Sequence, residues 1–488
     1  MLASKITYTV GIPDYWETLT PPLQHSLVGD AVIEYQVEPL IRMGEQGIME
    51  PVSAKSWELS ADHRKLIFKI DTARRFSDGS FLCAKDFKRS WEDGLRMTPK
   101  SSNSSLADGL GNIKGYSSFK KKGEIEGVQV IGNDTLMLEF DKPVRLALKY
   151  LSGGRVSTYK MVGDNIIGTG PYVVTEKNKE LKLTPNPYYI GKKPALKNVK
   201  IVVVPPEAIL KKMESGEIDA YLFAETASLP GCDSGTMGTI RCARGQEASH
   251  SIIQLNGLKG RFFADAKHRL AFQALMAKHR EVVEKRYSPR GFMSDSQSFL
   301  KFQAGRVSDV DAQAIIRSGE QYIPRLIKAT ERQPLFLAST ASGGGWLMDL
   351  LRKDGIRFTK SSETDFEFKK LLEMCYKTWA PDLLPLTSSV SDGDPDGLYH
   401  LLGRHGAIFS PMTERKNVCD GMESGRQLLD LSKLAPHYQK VSRAILEEVP
   451  YVHQGYFYRR MAYNAKRLKV NDKLLGRNNP NIMLLNPR

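Results

Sequence analysis

Ser56-Trp57-Glu58-Leu59-Ser60-Ala61-Asp62-His63-Arg64-Lys65-Leu66-Ile67-Phe68-Lys69-Ile70, followed by Phe76-Ser77-Asp78-Gly79 and by Ala84-Lys85-Asp86-Phe87 through Ser90-Trp91, is the stretch that decides the fold. Leu66, Phe68 and Ile70 alternate with other residues, which predicts a half-buried antiparallel strand. Asp78-Gly79 offers a turn in which the carboxylate accepts backbone N–H bonds and glycine takes positive φ. Asp86 then falls early in a helix, where its charge suits the helix dipole, and Phe87 and Trp91 pack inward.

Working outward, Leu136, Leu138 and Phe140 repeat the alternation behind the turn-forming Gly132-Asn133-Asp134. Val199 to Val204, broken only by Lys200, reads as a strand buried on both faces. Helices become clearer in the second half. His268 to Lys285 is expected as one amphipathic helix, with Ala271, Ala274, Leu275 and Val282 on its apolar stripe. Tyr438, Val441, Ile445 and Val449 form another stripe, which must stop before Pro450. A strand over Tyr451 to Tyr458 follows. The order is mixed α/β, with β-rich segments first, helices later and a return to strand.

The whole chain has 488 residues, 41% of them hydrophobic, enough for large buried cores and two or three domains. No run of eighteen apolar residues appears, so no membrane-spanning helix is expected. The start, Met1-Leu2-Ala3-Ser4-Lys5, carries no basic n-region and apolar h-region ahead of the strand-like Ile6 to Val10, which taken alone reads as cytoplasmic. The formal charge of +15 comes from lysines and arginines scattered through every segment. The one dense run, Lys120-Lys121-Lys122, reads as a solvated face, and no nucleic-acid partner is expected.

Catalytic patterns are missing. There is no GxSxG elbow, no phosphate-binding glycine loop ending in Lys-Ser or Lys-Thr, no HExxH and no dinucleotide fingerprint, so the chain does not read as an enzyme and no cofactor is expected. His400 and His405 are five apart and would point to different faces of a helix, and the five cysteines form no zinc pattern, so no metal is expected. Cys232 and Cys242 bracket a short Gly- and Ser-containing stretch that either closes as a disulfide loop in an oxidising compartment or stays as two thiols.

A series of segments in order resembles the extracytoplasmic solute-binding proteins that serve dipeptide, oligopeptide and nickel ABC importers, the family 5 group. Val37-Glu38-Pro39-Leu40, Glu50-Pro51, the opening stretch above, Gly168-Thr169-Gly170-Pro171-Tyr172 and Asn186-Pro187-Tyr188-Tyr189 carry the likeness. So do Gly191-Lys192-Lys193-Pro194, Ser215-Gly216-Glu217-Ile218-Asp219-Ala220, Leu255-Asn256 with Arg269-Leu270-Ala271, Gly355-Ile356, Asp394-Pro395-Asp396 and Val449-Pro450-Tyr451. Leu19-Thr20-Pro21 and Met276-Ala277-Lys278-His279-Arg280 depart from the family pattern and leave the ligand class open.

The resemblance implies an α/β, two-lobed periplasmic binding protein fold of class II, cluster C-like, with an extra subdomain in the first lobe and a hinge between lobes. It implies a discontinuous first lobe of residues 1–29, 159–248 and 456–488, a subdomain of 30–158 and a second lobe of 249–455. It further implies an extracytoplasmic monomer whose export signal has been removed or lies upstream, a small solute such as a short peptide as ligand, and an inner-membrane ABC permease as partner. A ligand-sensing regulatory module on the same fold is the alternative function.

In peptide-binding relatives an aspartate in the segment matching Ser391-Asp392-Gly393-Asp394-Pro395-Asp396-Gly397 receives the peptide's amino terminus, which makes Asp392 or Asp394 the expected anchor for a cationic group. Turn and cap chemistry competes, since Asp394 or Asp396 could cap the helix suggested by Leu398, Tyr399, Leu401 and Leu402. Tyr15, Trp16, His25 and Phe223 are the other residues expected at the ligand.

Overall fold

The computed structural model describes residues 6–488 apart from 17, 25, 44–48, 99–105, 164, 178, 233, 302, 339–344, 361–380, 390–393, 405, 407–409 and 471–480. The chain divides into two compact units, Met1–Glu247 with Tyr458–Arg488, and Ala248–Phe457. It passes from one unit to the other within the long strand Ile240–Leu255 and returns within Tyr451–Asn464.

The first unit is built on a mixed sheet in which Tyr172–Lys177, Glu180–Pro185, Val199–Val203, Tyr8–Ile12 and Ala220–Leu222 lie side by side, followed by the Met461–Tyr463 stretch of the last long strand. Tyr8–Ile12 runs parallel to both of its neighbours, with Val10 opposite Ile201 on one side and Ala220 on the other. Val10, Ile12, Leu181, Ile201, Leu222 and Met461 fill its core. The expectation of burial on both faces holds for only part of its central strand: Val199 and Ile201 are buried, while Val202 and Val203 are half-buried.

The opening stretch folds as its pattern dictates. Lys65–Ile70 is the second strand of a four-stranded antiparallel sheet, flanked by Ala54–Leu59 and Thr135–Glu139, with Val128–Ile131 at the edge. Leu66 faces Leu138 and Phe68 faces Leu136, all four fully buried. Gly79 takes φ 85°, and Asp78 Oδ1 accepts the Ser80 N–H at 2.9 Å. Asp86 does more than complement a dipole, because its Oδ2 accepts both the Cys83 backbone N–H at 2.9 Å and the Cys83 thiol at 3.0 Å at the entry of helix Ala84–Met97. Phe87 and Trp91 are buried on that helix, and the Trp91 indole donates to the Val156 carbonyl at 2.8 Å. A core of Phe68, Phe76, Phe87, Trp91 and Leu138 unites sheet and helix.

The second unit is helix-rich. Its sheet joins the Ser249–Leu255 part of the first crossing strand to Leu383–Ser389, then to Leu335–Leu337 and Phe358–Lys360, while Phe292–Ser294 pairs with Gly455–Phe457. The single helix expected over His268 to Lys285 is two, Ala266–Lys278 and Arg280–Tyr287. The break is at His279, whose ring Nε2 is held 2.5 Å from Asp354 Oδ2. Breaking there shifts the phase of the second helix, so Val283 is buried at 3% exposure and Val282, expected on the stripe, is 52% exposed.

Helix Leu434–Glu448 buries Tyr438, Val441 and Ile445 as expected and stops before Pro450. Val449 itself leaves the helix with φ 48°, a conformation that costs a β-branched residue backbone energy and that burial at 0% exposure holds in place. Among the described residues no helix is long and apolar enough to cross a membrane. Cys232 and Cys242 form a disulfide.

Candidate functional site

In open α/β sheets the crevice outside the carboxyl ends of parallel strands is the usual place for a ligand. The first unit brings several of the expected residues to such an edge. Tyr8–Ile12 leads into Pro13-Asp14-Tyr15-Trp16, and the parallel Ala220–Leu222 leads into Phe223. Tyr15 is 45% exposed and stands edge-on to Trp16, their ring centres 5.8 Å apart.

Trp16, by contrast, is buried in the core of this unit, and its indole N–H donates to Glu176 Oε2 at 3.2 Å. The buried Gln24 amide fixes the loop from beneath by donating to the Trp16 carbonyl at 2.6 Å and the Thr18 carbonyl at 2.8 Å. Glu176 belongs to the hairpin of Tyr172–Lys177 and Glu180–Pro185. At that hairpin's turn the Lys179 ammonium lies 5.2 Å from the centre of the Tyr15 ring.

Phe223 is also buried, in the left-handed conformation with φ 60° and ψ 43°. A non-glycine residue held there stores backbone strain, a feature that recurs where function constrains the chain. The Arg459 guanidinium lies 5.5 Å from the Phe223 ring and donates to Glu225 Oε1 at 2.9 Å, while Glu225 Oε2 accepts the Arg460 N–H at 2.9 Å. Arg459, Arg460 and Glu225 are all buried.

In the second unit, Leu335–Leu337 and Leu383–Ser389 are parallel neighbours, so the chain leaves both at one edge. Asp394 follows the second of these strands. It is half-buried, and its Oδ1 accepts the Asp396 N–H at 2.9 Å as the cap of the short helix Pro395–Leu398, while its carbonyl accepts from Gln303 Nε2 at 3.3 Å. Asp392 and His25 lie outside the described residues. Asp396 is fully buried.

Two histidine arrangements adjoin this segment. His400 Nδ1 donates to the Gly397 carbonyl at 2.8 Å, which leaves Nε2 to accept the Ser388 hydroxyl at 2.6 Å. Ser388 pairs across the sheet with His250. His250 Nδ1 and His453 Nε2 are 2.6 Å apart, and His453 Nδ1 donates to the Asp295 carbonyl at 2.9 Å, so His250 is the donor within the pair.

The Tyr456 ring lies against both imidazoles, and the Asp295 carboxylate is forked by Arg306 at 2.9 and 3.1 Å. Burial pushes His453 down to about 4, and burial, with His453 and His400 close by, holds His250 well below the ordinary imidazole value. Among the described residues no group of three or more His, Cys, Asp or Glu side chains is arranged to hold a metal ion.

Sequence reasoning named Tyr15, Trp16 and Phe223 and did not single out Glu176, Lys179, Gln24, Arg459 or the His250–His453 pair. The one available signal was the hairpin turn itself, where lysine occupies a position that glycine would fill without strain.

The family described as "Bacterial extracellular solute-binding proteins, family 5 Middle" matches residues 49–289. The chain is 28% identical over 236 residues to the periplasmic murein peptide-binding protein MppA of Escherichia coli strain K12, a stretch covering 45% of this chain and 44% of that protein, so the sequence likeness spans less than half of the relative's length. Its fold matches the Helicobacter pylori periplasmic binding protein DppA in complex with peptide STSA with a TM-score of 0.82 at 16% identity, over 99% of this chain and 98% of that one. NikZ of Campylobacter jejuni, in complex with Ni(L-His), matches with a TM-score of 0.73 at 18% identity, over 95% and 94%. The likeness of fold thus extends over the second unit as well as the first, and together with the family match it makes the fold that of the periplasmic binding proteins. Over residues 49–289 this chain belongs to the bacterial extracellular solute-binding proteins of family 5.

Proposed function

We propose that the protein is the solute-binding component of an ABC importer, capturing a short peptide outside the cytoplasm and handing it to a membrane permease. The family match over residues 49–289 carries this reading. The peptide is preferred over a nickel chelate because a murein peptide-binding protein is among the sequence relatives and the H. pylori neighbour holds the peptide STSA. The Cys232–Cys242 disulfide supports an oxidising, extracytoplasmic location.

On this reading the two chain crossings, within Ile240–Leu255 and Tyr451–Asn464, serve as the hinge, and ligand contacts drive closure. Asp392 or Asp394 anchors the ligand's ammonium group, Asp394 adding that role to its cap, and Tyr15 contributes ring surface. Native mass spectrometry of freshly purified protein, with the released solute identified, tests the ligand. Asp392→Ala or Asp394→Ala should then weaken a cationic solute by more than about tenfold, since losing one partner of a buried charge pair costs about 2–5 kcal/mol. Wild-type affinity in both variants removes the anchor. A radius of gyration unchanged by a saturating, independently verified solute removes closure.

A further inference from the structure

Glu34 ends the helix Leu27–Ile33, and Asp30 stands one turn earlier on the same face. Two carboxylates four residues apart repel, and the C-terminal end of a helix is where an acid is least favoured and a cation most. The Asp30 charge is met. Arg155 forks it, with Nε 2.7 Å from Oδ1 and Nη2 2.5 Å from Oδ2. The Glu34 carboxyl makes no hydrogen bond or ion pair among the described residues. Burial, opposed by Arg42 and reinforced by Asp30, pushes it up to about 7.

Empty space adjoins this carboxyl. Asp30, Glu34, Tyr150, Arg155 and Val156 line a cavity of about 160 Å³ that lies wholly within the first unit. A water molecule takes up about 30 Å³ of the liquid, so the cavity has room for a ligand of about five heavy atoms. Asp30, Glu34, Tyr150 and Arg155 are half-buried, which leaves the cavity open to entry from solvent. Gly154 holds the acid at the wall: a β-carbon there would lie 3.1 Å from Glu34 Cγ, so the bare glycine lets the loop pack directly on the Glu34 side chain. The other charged or titratable groups around Glu34 are Asp30, Arg42, Tyr150 and Arg155.

We infer that this cavity binds a small primary ammonium ion, whose N–H groups donate to the Glu34 carboxylate and to the lone pairs that Arg155 leaves on Asp30. A carboxylate offers about four acceptor sites, and the Arg155 fork uses two of those on Asp30. Once Asp30 is paired with Arg155, Glu34 contributes one negative charge, which one monovalent cation neutralises through charge-assisted bonds. The ion takes the place of the proton that Glu34 otherwise holds, and that proton leaves to solvent. A quaternary ammonium or an alkali cation has no N–H to donate and makes none of these bonds. The site uses none of the residues proposed for the transported solute, so it stands whether or not that solute is a peptide.

The test titrates n-propylammonium chloride into the full-length protein and into Glu34→Gln at pH 6 and pH 8, by calorimetry, with melting curves for each. Tetramethylammonium chloride, which carries the same charge without an N–H, is the control. Wild type should bind propylammonium with a Kd on the order of 1 mM at pH 8. Binding should weaken by about tenfold at pH 6, because a carboxyl titrating near 7 falls from about nine-tenths to about one-tenth ionised over that interval. Glu34→Gln should lose about tenfold in affinity at pH 8 and show no dependence on pH. It should melt no lower than wild type at pH 8, since it removes a charge that burial disfavours, so its loss of binding cannot be ascribed to misfolding. Binding that is equal at the two pH values, that tetramethylammonium reproduces or that survives Glu34→Gln overturns the site. So does an absence of binding by wild type at pH 8.

Discussion

Asp396 and Arg426 bury opposite charges against each other, with Arg426 Nε 3.3 Å from Asp396 Oδ2 and the two side chains 4% and 0% exposed. The Tyr438 hydroxyl donates to the other carboxylate oxygen at 3.3 Å, and the central carbon of the Arg426 guanidinium lies over Tyr399, 3.6 Å from its ring centre. Asp394, two residues earlier, is only half-buried and caps a short helix. Two neighbouring carboxylates of one acidic segment therefore do different work, the first at a helix end and the second inside the core.

Their removal should separate them. Asp396→Ala leaves a guanidinium buried without this partner and should destabilise the protein by about 3–5 kcal/mol. Asp394→Ala loses a cap and should cost about 1 kcal/mol. Urea unfolding followed by fluorescence measures both, and equal costs would contradict the division.

The parts of this fold that were legible in the sequence are those set by local chemistry. Alternation over Lys65–Ile70, the Asp78-Gly79 turn, the entry of helix Ala84–Met97 and the stop before Pro450 each depend on residues a few positions apart. The break at His279 was not legible, because it is fixed by Asp354, 75 residues away. His250 and His453 are 203 residues apart and meet only when the two crossing strands are formed. At the candidate site, Tyr15 could be proposed from its segment, but burial of Trp16 and Phe223 follows from the packing of a whole sheet, and a left-handed lysine has no composition to mark it.

The buried imidazole pair sets a pH dependence with a definite sign. His453 titrates near 4 and His250 also well below 6.5 when folded, so an unfolded chain takes up protons first as the pH falls. A histidine depressed in the folded state contributes stability above pH 6.5, and that contribution is lost as the pH falls from there towards 4. The Asp295 carboxylate, forked by Arg306, pulls His453 upward but does not outweigh burial, and Tyr456 presents its ring to the pair. The stability gap between wild type and His250→Gln/His453→Gln should therefore shrink on acidification from pH 7 to 5, approaching about 1.4 kcal/mol per pH unit for each proton involved. Urea titrations at several pH values measure the gap. A gap that stays constant would show that the pair does not titrate as its burial requires.

Helix Leu434–Glu448 delivers the chain to the second crossing strand, and its last carbonyl is held by two arginines. Arg269 Nε donates to the Glu448 carbonyl at 2.7 Å and Arg415 Nε at 3.3 Å, an arrangement that satisfies a helix end and sets positive charge against its dipole. Burial, with the Arg269 guanidinium beside it, pushes Arg415 down to about 10, still far above neutrality, so it remains charged. The space for Arg415 comes from Gly257. A β-carbon on Gly257 would lie 2.0 Å from Arg415 Nη2 and 2.6 Å from its central carbon, closer than any real contact permits. Gly257→Ala should thus displace the guanidinium and cost about 1–3 kcal/mol, the range for overfilling a packed site. Arg415→Ala alone should also destabilise, by loss of its bond to the helix end. Combining the two should cost clearly less than their sum, because the added methyl then enters space that the guanidinium has left. Unfolding free energies of the two single variants and the double variant close the cycle. Strict additivity would mean that Gly257 is not there to make room for Arg415.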